Sequence, residues 1–184
     1  NLALLEADIL NERGEHAEAA RQLRALLEES RSGSKRFLMK LAETQRLAGR
    51  YTLALDTLHR LIEKPSRPGG PSEQIDARAF LMHGRVYYEM GNYTRALHWF
   101  DRTAAEYPGG AEALAARLGT AETYLTLGEW ESARKAYAEI VPRLRELRPG
   151  TNRWIDLERS RKLLQVQSEM AMLKSQLEQA LEFV

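Results

Sequence analysis

Four copies of one residue pattern constrain this chain more than any other feature. Gly14, Gly49, Gly91 and Gly128 are each followed five residues later by alanine: Ala19, Ala54, Ala96 and Ala133. Twelve residues before each of those alanines stands another small residue, namely Ala7, Ala42, Gly84 and Ala121. Four residues after each stands a large one: Leu23, Leu58, Phe100 and Tyr137. Alanine is common here, so one such coincidence means little; sixteen positions in a single register mean a repeated unit. Two amphipathic helices joined by a tight glycine turn account for the pattern, because small residues at matched heights let two backbones cross closely.

The turn glycines lie 35, 42 and 37 residues apart, and the variation falls in the connections between units. The longest connection, Pro65-Ser66-Arg67-Pro68-Gly69-Gly70-Pro71, forbids helix. The spacing predicts helices over 2–13, 15–30, 34–48, 50–64, 72–90, 92–106, 110–127 and 129–147. Pro142, late in the eighth, is expected to kink or end it.

The fullest copy runs Phe80, His83, Gly84, Tyr87, Gly91-Asn92-Tyr93, Ala96, Phe100 and Pro108. It resembles the tetratricopeptide repeat, whose W-L-G-Y-A-F-P positions recur with a period of about 34 residues. Phe80 replaces the Trp and His83 the Leu. The other copies depart further. Leu10 and Gln45 stand at the Tyr position, Arg31 and Ser66 at the Pro position, and Arg117 and Thr120 replace large apolar residues in the fourth. The resemblance implies an all-α, right-handed superhelical solenoid. Its repeats would span about 1–33, 34–71, 72–109 and 110–150, with 151–184 as a long C-terminal helix. It further implies a non-catalytic scaffold that receives a protein, as a peptide or a partner helix, on the concave face lined by first helices.

Carried over by spacing, the groove residues would be Leu4, Asp8, Asn11 and Glu12; Met39, Glu43 and Arg46; Arg78, Leu81, Arg85 and Tyr88; and Leu118, Glu122 and Leu125. Arginines there can pair with carboxylates, and Arg78 and Arg85 at the centre would favour an acidic ligand. The version of the family that clamps a C-terminal carboxylate carries asparagine and lysine where this chain has Asp8 and Leu4. Binding of that kind of tail is not expected.

Composition excludes more than it selects. Lys plus Arg total 27 against 26 for Asp plus Glu, so net charge gives no reason to expect nucleic acid or an anionic membrane. Arg143, Arg145, Arg148, Arg153, Arg159, Arg161 and Lys162 form a local basic cluster, with only Trp154 as a candidate stacking platform. A solvated helix junction is the expected reading, and no nucleic acid is assigned as a partner. The absence of cysteine removes disulfides, thiolate catalysis and cysteine metal sites. No apolar run approaches the ~20 residues needed to span a bilayer, so no membrane insertion is expected.

His16, His59, His83 and His98 form no metal-ligand spacing, and His16 and His83 are expected to pack. The turns Pro68-Gly69-Gly70-Pro71 and Pro108-Gly109-Gly110 precede helices but lack the Lys-Ser/Thr of a phosphate loop. No catalytic residue, metal or cofactor is assigned, and the chain is not expected to be an enzyme.

After Pro149-Gly150, Thr151 or Asn152 could cap a last helix in which Trp154 and Leu157 begin a fifth unit. Leu163, Val166, Met170, Leu173, Leu177, Ala180 and Val184 recur at alternating steps of three and four, a heptad seam. Two readings stay open: the seam caps the solenoid, or the chain is an oligomerisation module that assembles a homo-oligomer through residues 163–184 or by stacking of its end repeats. A third reading makes the chain a regulatory piece of a larger protein, consistent with its opening on Asn1 rather than methionine. The connection Glu106-Tyr107-Pro108-Gly109-Gly110-Ala111-Glu112-Ala113 resembles those of bacterial envelope members of the family, and 21 of the 27 basic residues are Arg. Together these favour a bacterial source, with periplasm ahead of cytoplasm.

Overall fold

In the computed structural model, residues 2–29, 34–63, 66, 69–70, 72–146, 152, 154–156, 160, 162 and 165 are described. Eight helices occupy the first four-fifths: α1 (Leu2–Glu12), α2 (His16–Glu29), α3 (Lys35–Leu47), α4 (Tyr51–Ile62), α5 (Glu73–Glu89), α6 (Tyr93–Glu106), α7 (Ala111–Thr126) and α8 (Trp130–Glu146). Each end lies within two residues of the spacing-based expectation. Pro142 does not terminate α8, which continues through it to Glu146. The lost backbone donor removes one rung of the ladder without stopping the helix.

The turn inside each helix pair is the same structure built four times. Gly14, Gly49, Gly91 and Gly128 take φ values of 79°, 69°, 74° and 74°. Their N–H groups donate to the carbonyls of Asn11, Arg46, Tyr88 and Leu125, three residues back. The next N–H, from Glu15, Arg50, Asn92 and Glu129, reaches five residues back to Leu10, Gln45, Tyr87 and Tyr124 at 2.8–2.9 Å. Both bonds satisfy carbonyls left over at the helix end, and only glycine takes this left-handed φ without strain. The register seen in the sequence is thus a backbone requirement.

The other twelve positions of the repeat meet inside the helix pairs. Ala7, Ala19, Leu23, Ala42, Ala54, Leu58, Ala96, Phe100, Ala121, Ala133 and Tyr137 are all buried, and so is Gly84. Ala96 has no exposed surface. Replacing it with leucine adds side-chain volume at a close helix crossing. Ala96→Leu should therefore lower stability by about 2 kcal/mol, seen as a lower urea midpoint. An unchanged midpoint would place the crossing elsewhere.

Consecutive helices pack along the whole stack, and α1 with α3, α3 with α5 and α5 with α7 also pack directly. No comparable pairing occurs among α2, α4, α6 and α8 in the described residues. The first helices therefore form an inner layer and the second helices an outer one. Two cavities, of about 540 and 290 Å³, open on the inner layer. One apolar cluster runs from Leu38 to Leu144 through α3–α8, and a smaller one joins Ala7, Ala19, Ala20, Leu23 and Leu41 at the N-terminal end.

Beyond α8 the chain departs from the sequence-based expectation. Asn152 and residues 154–156 are not helical; helix is found at Ser160, whose N–H donates to the Asp156 carbonyl at 2.9 Å. Trp154 therefore does not begin a fifth helical unit. Instead Trp154 and Ile155, each 8% exposed, join the main apolar cluster. The seam residues Leu163, Val166, Met170, Leu173 and Leu177 lie outside the described residues.

Candidate functional site: the concave trough

The trough floor is fixed by polar ties between neighbouring first helices. Lys40 on α3 pairs with Asp8 on α1 at 2.5 Å and with Glu43 on its own helix at 2.9 Å. Burial alone would lower the Lys40 pKa, but hydrogen bonds to Asp8 and Glu43 outweigh it, and the net shift is upward. Asn11 donates to Thr44 Oγ1 at 2.9 Å. Arg46 on α3 meets Glu89 on α5 at 2.5 Å. Arg78 on α5 meets Glu112 on α7 at 3.3 Å, and Tyr88 Oη lies 2.9 Å from Thr126 Oγ1. A further tie at the edge joins Lys35 to the buried Asp76 at 2.5 Å.

Most charged members of the expected groove set are thus engaged within the chain. Asp8, Glu43, Arg46 and Arg78 all hold partners on the scaffold itself. Their charges brace the inner layer, and Arg78 meets a carboxylate of the scaffold itself. Leu81 is fully buried, Met39 and Leu118 nearly so, and Leu125 is half-buried against the core. Leu81 therefore presents no surface to the trough. Met39 and Glu43 line the smaller cavity, and Tyr88, Leu118 and Glu122 the larger.

The centre of the trough is filled by the chain's own Trp154. Its indole N–H donates to Glu112 Oε1 at 3.0 Å, the same oxygen that faces Arg78. Its carbonyl accepts from Arg85 Nη2 at 2.5 Å, and the Arg85 guanidinium stands 5.2 Å from the ring centroid. Just upstream, Asn152 donates to the Ala111 carbonyl at 3.0 Å and accepts from the Trp154 N–H at 3.0 Å. Asn152 therefore ties a turn to the start of α7 rather than capping a helix. Burial lowers the Arg85 pKa from its ordinary value, with the nearby Arg46 acting in the same direction. Trp154 lines both cavities and separates the α1/α3/α5 side from the α5/α7 side.

Spacing missed three of these residues. Glu112 sits ahead of the groove positions in the repeat, Lys40 lies beside them, and Trp154 stands in a connection. No local signal marks Trp154, since Arg85 and Glu112 lie 69 and 42 residues away along the chain. With its ring buried, Trp154 offers no stacking platform beside the basic cluster, whose Arg143 and Arg145 are exposed.

Among the described residues no group of three or more His, Cys, Asp or Glu side chains could hold a metal ion. No helix among them is long and apolar enough to cross a membrane.

The family model described as tetratricopeptide repeat matches residues 4–71 and 81–149. The chain belongs to the tetratricopeptide repeat family. Repeats of this family are generally protein–protein interaction modules on a fold that is generally non-catalytic. Among solved structures, the tetratricopeptide chain is similar to a Podosopora anserina putative kinesin light chain with nearly identical TPR-like repeats. One crystal structure of that protein matches at TM-score 0.65 and 18% identity, over 91% of this chain and 90% of the other. MamA protein matches at TM-score 0.54 and 20% identity, over 77% of this chain and 72% of that one. At these identities the likeness concerns the fold. No curated protein sequence matches the chain.

Proposed function

We propose that this tetratricopeptide chain is a non-catalytic scaffold that binds a partner protein in the trough formed by α1, α3, α5 and α7. The observation that carries the reading is that the trough already accommodates polypeptide. Asn152 and residues 154–156 lie in it outside any helix, held by hydrogen bonds to α5 and α7. The ion pairs between first helices hold the trough in shape, so docking a ligand needs little ordering of the scaffold. Met39 and Leu118 form apolar walls of the two cavities, and Tyr88 and Glu122 supply polar edges.

The test is affinity capture from the source cell with the parent and two variants. Tyr88→Ala removes an aromatic from the trough, and Arg134→Ala alters an exposed site on the outer helix α8. Tyr88→Ala should reduce recovery of a specific partner at least tenfold, with helical content unchanged by circular dichroism. Arg134→Ala should recover the partner like the parent. Partner recovery that ignores Tyr88→Ala would rule out the trough as the binding face.

A further inference from the structure

We propose that the centre of the trough is a receptor for a tryptophan anchor. The chain's own Trp154 occupies it as a built-in competitor, and the partner segment displaces that side chain by presenting a tryptophan of its own. This deepens the function proposed above and rests on it.

The geometry is that of a bound ligand. Three elements of recognition converge on one residue: Glu112 takes the indole N–H, Arg85 takes the main-chain carbonyl, and the same guanidinium stands over the ring. With Trp154 in place Glu112 is 2% exposed and Arg85 is half-buried, so the Glu112 bond in particular is made away from bulk water. An anchor lacking an N–H at this position would leave Glu112 Oε1 facing Arg78 at the longer distance of 3.3 Å. A site built around a buried acceptor discriminates against side chains that cannot donate to it, which selects tryptophan over aliphatic anchors. Cation–π attraction from Arg85 favours tryptophan again, because its ring is the strongest aromatic partner for a guanidinium.

The occupant is also placed to leave. Trp154, Ile155 and Asp156 are not helical, and a cavity of about 540 Å³ stays open beside them, bounded by Tyr88, Leu118 and Glu122. A partner segment can enter there before the internal one has gone. The internal segment is joined to the end of α8 by a short stretch of chain, so its effective concentration is on the order of millimolar. Such a competitor weakens outside ligands without abolishing their binding. It sets a threshold that only a well-matched tryptophan segment passes.

The probe is a fluorescein-labelled peptide copying residues 150–158, with a second version in which the tryptophan is alanine. Binding is followed by anisotropy on the full chain and on its Trp154→Ala variant. The tryptophan peptide should bind Trp154→Ala at least tenfold more tightly than the parent, and the alanine peptide should bind both at least tenfold more weakly still. A second measurement covers the case in which Trp154→Ala fails to fold. The chain contains no cysteine, so Ile155→Cys introduces a single thiol on the occupying segment. Its labelling by a thiol reagent should be slow and should accelerate at least tenfold with the tryptophan peptide but not with the alanine peptide. Equal affinity of the tryptophan peptide for parent and variant, or labelling at the free-thiol rate without peptide, would overturn the proposal. If that happens while Tyr88→Ala still abolishes partner capture, the trough remains the binding face and only the tryptophan anchor is lost.

Discussion

Gly84→Val should lower the stability of this chain by about 3 kcal/mol, read as a shifted urea midpoint at constant slope. The cause is a single ring. A Cβ placed on Gly84 of α5 would lie 2.4 Å from Phe100 Cδ1 and 2.5 Å from Cε1. The ring cannot retreat toward α7, because a Cβ on Gly119 of that helix would meet it at 2.7–2.9 Å. Phe100, from α6, is thus laid against two glycine gaps, one on each neighbouring first helix. Valine at 84 must displace the ring or part the helices, and both disturb the packing of α6 between α5 and α7. The gain in helix propensity over glycine, a few tenths of a kcal/mol, does not offset this. With Phe100→Leu already in place, the cost of Gly84→Val should shrink by about 1 kcal/mol or more, since two residues in contact do not act additively. Full additivity would mean that Gly84 does not work through Phe100.

The second large effect is a loss of stability in mild acid, centred on His83. This residue is 3% exposed, its ring lies 4.0 Å from that of Trp99 at an interplanar angle of 12°, and Nδ1 donates to the Ala79 carbonyl at 2.9 Å. Burial pushes its pKa down to about 4, His59 and Arg102 add to the fall, and the Ala79 bond opposes it. The folded value lies below the ordinary value of about 6.5, so the unfolded chain takes up the proton first. The stability contribution is therefore present above about pH 6.5 and drains away as the pH falls toward about 4. Between about pH 7 and pH 5 the loss should be about 2 kcal/mol, approaching about 3 kcal/mol near pH 4. Urea titrations at a series of pH values from neutral to mildly acidic measure it. His83→Leu restores the apolar residue usual at this place in the repeat and should flatten the profile over that range. A slope that survives in His83→Leu would assign the proton uptake to another group.

The repeat register was legible because its causes are local. A glycine at φ near +74°, two satisfied carbonyls and small residues at fixed offsets recur within each hairpin, so they leave a periodic trace. The same period marked Leu4, Met39, Glu43, Arg78, Arg85, Tyr88, Leu118 and Glu122, which line the two cavities. It could not show what those side chains touch. The partners of Arg46, Arg78 and Lys40 lie 43, 34 and 32 residues away, about a full repeat along the chain, where each charge looks like any other surface charge. Gly119 carries no repeat signature, and its role exists only because Phe100 reaches it from the neighbouring pair.

Reading residues in order was therefore enough to find the helical hairpins and the face they present, because turn chemistry and side-chain size act within a few residues. What fills the trough is a property of the folded stack. Packing four hairpins together brings Arg85 and Glu112 to one place, and a tryptophan from beyond the last hairpin meets both there. That meeting depends on distances in space between segments far apart in the chain, which no periodicity encodes.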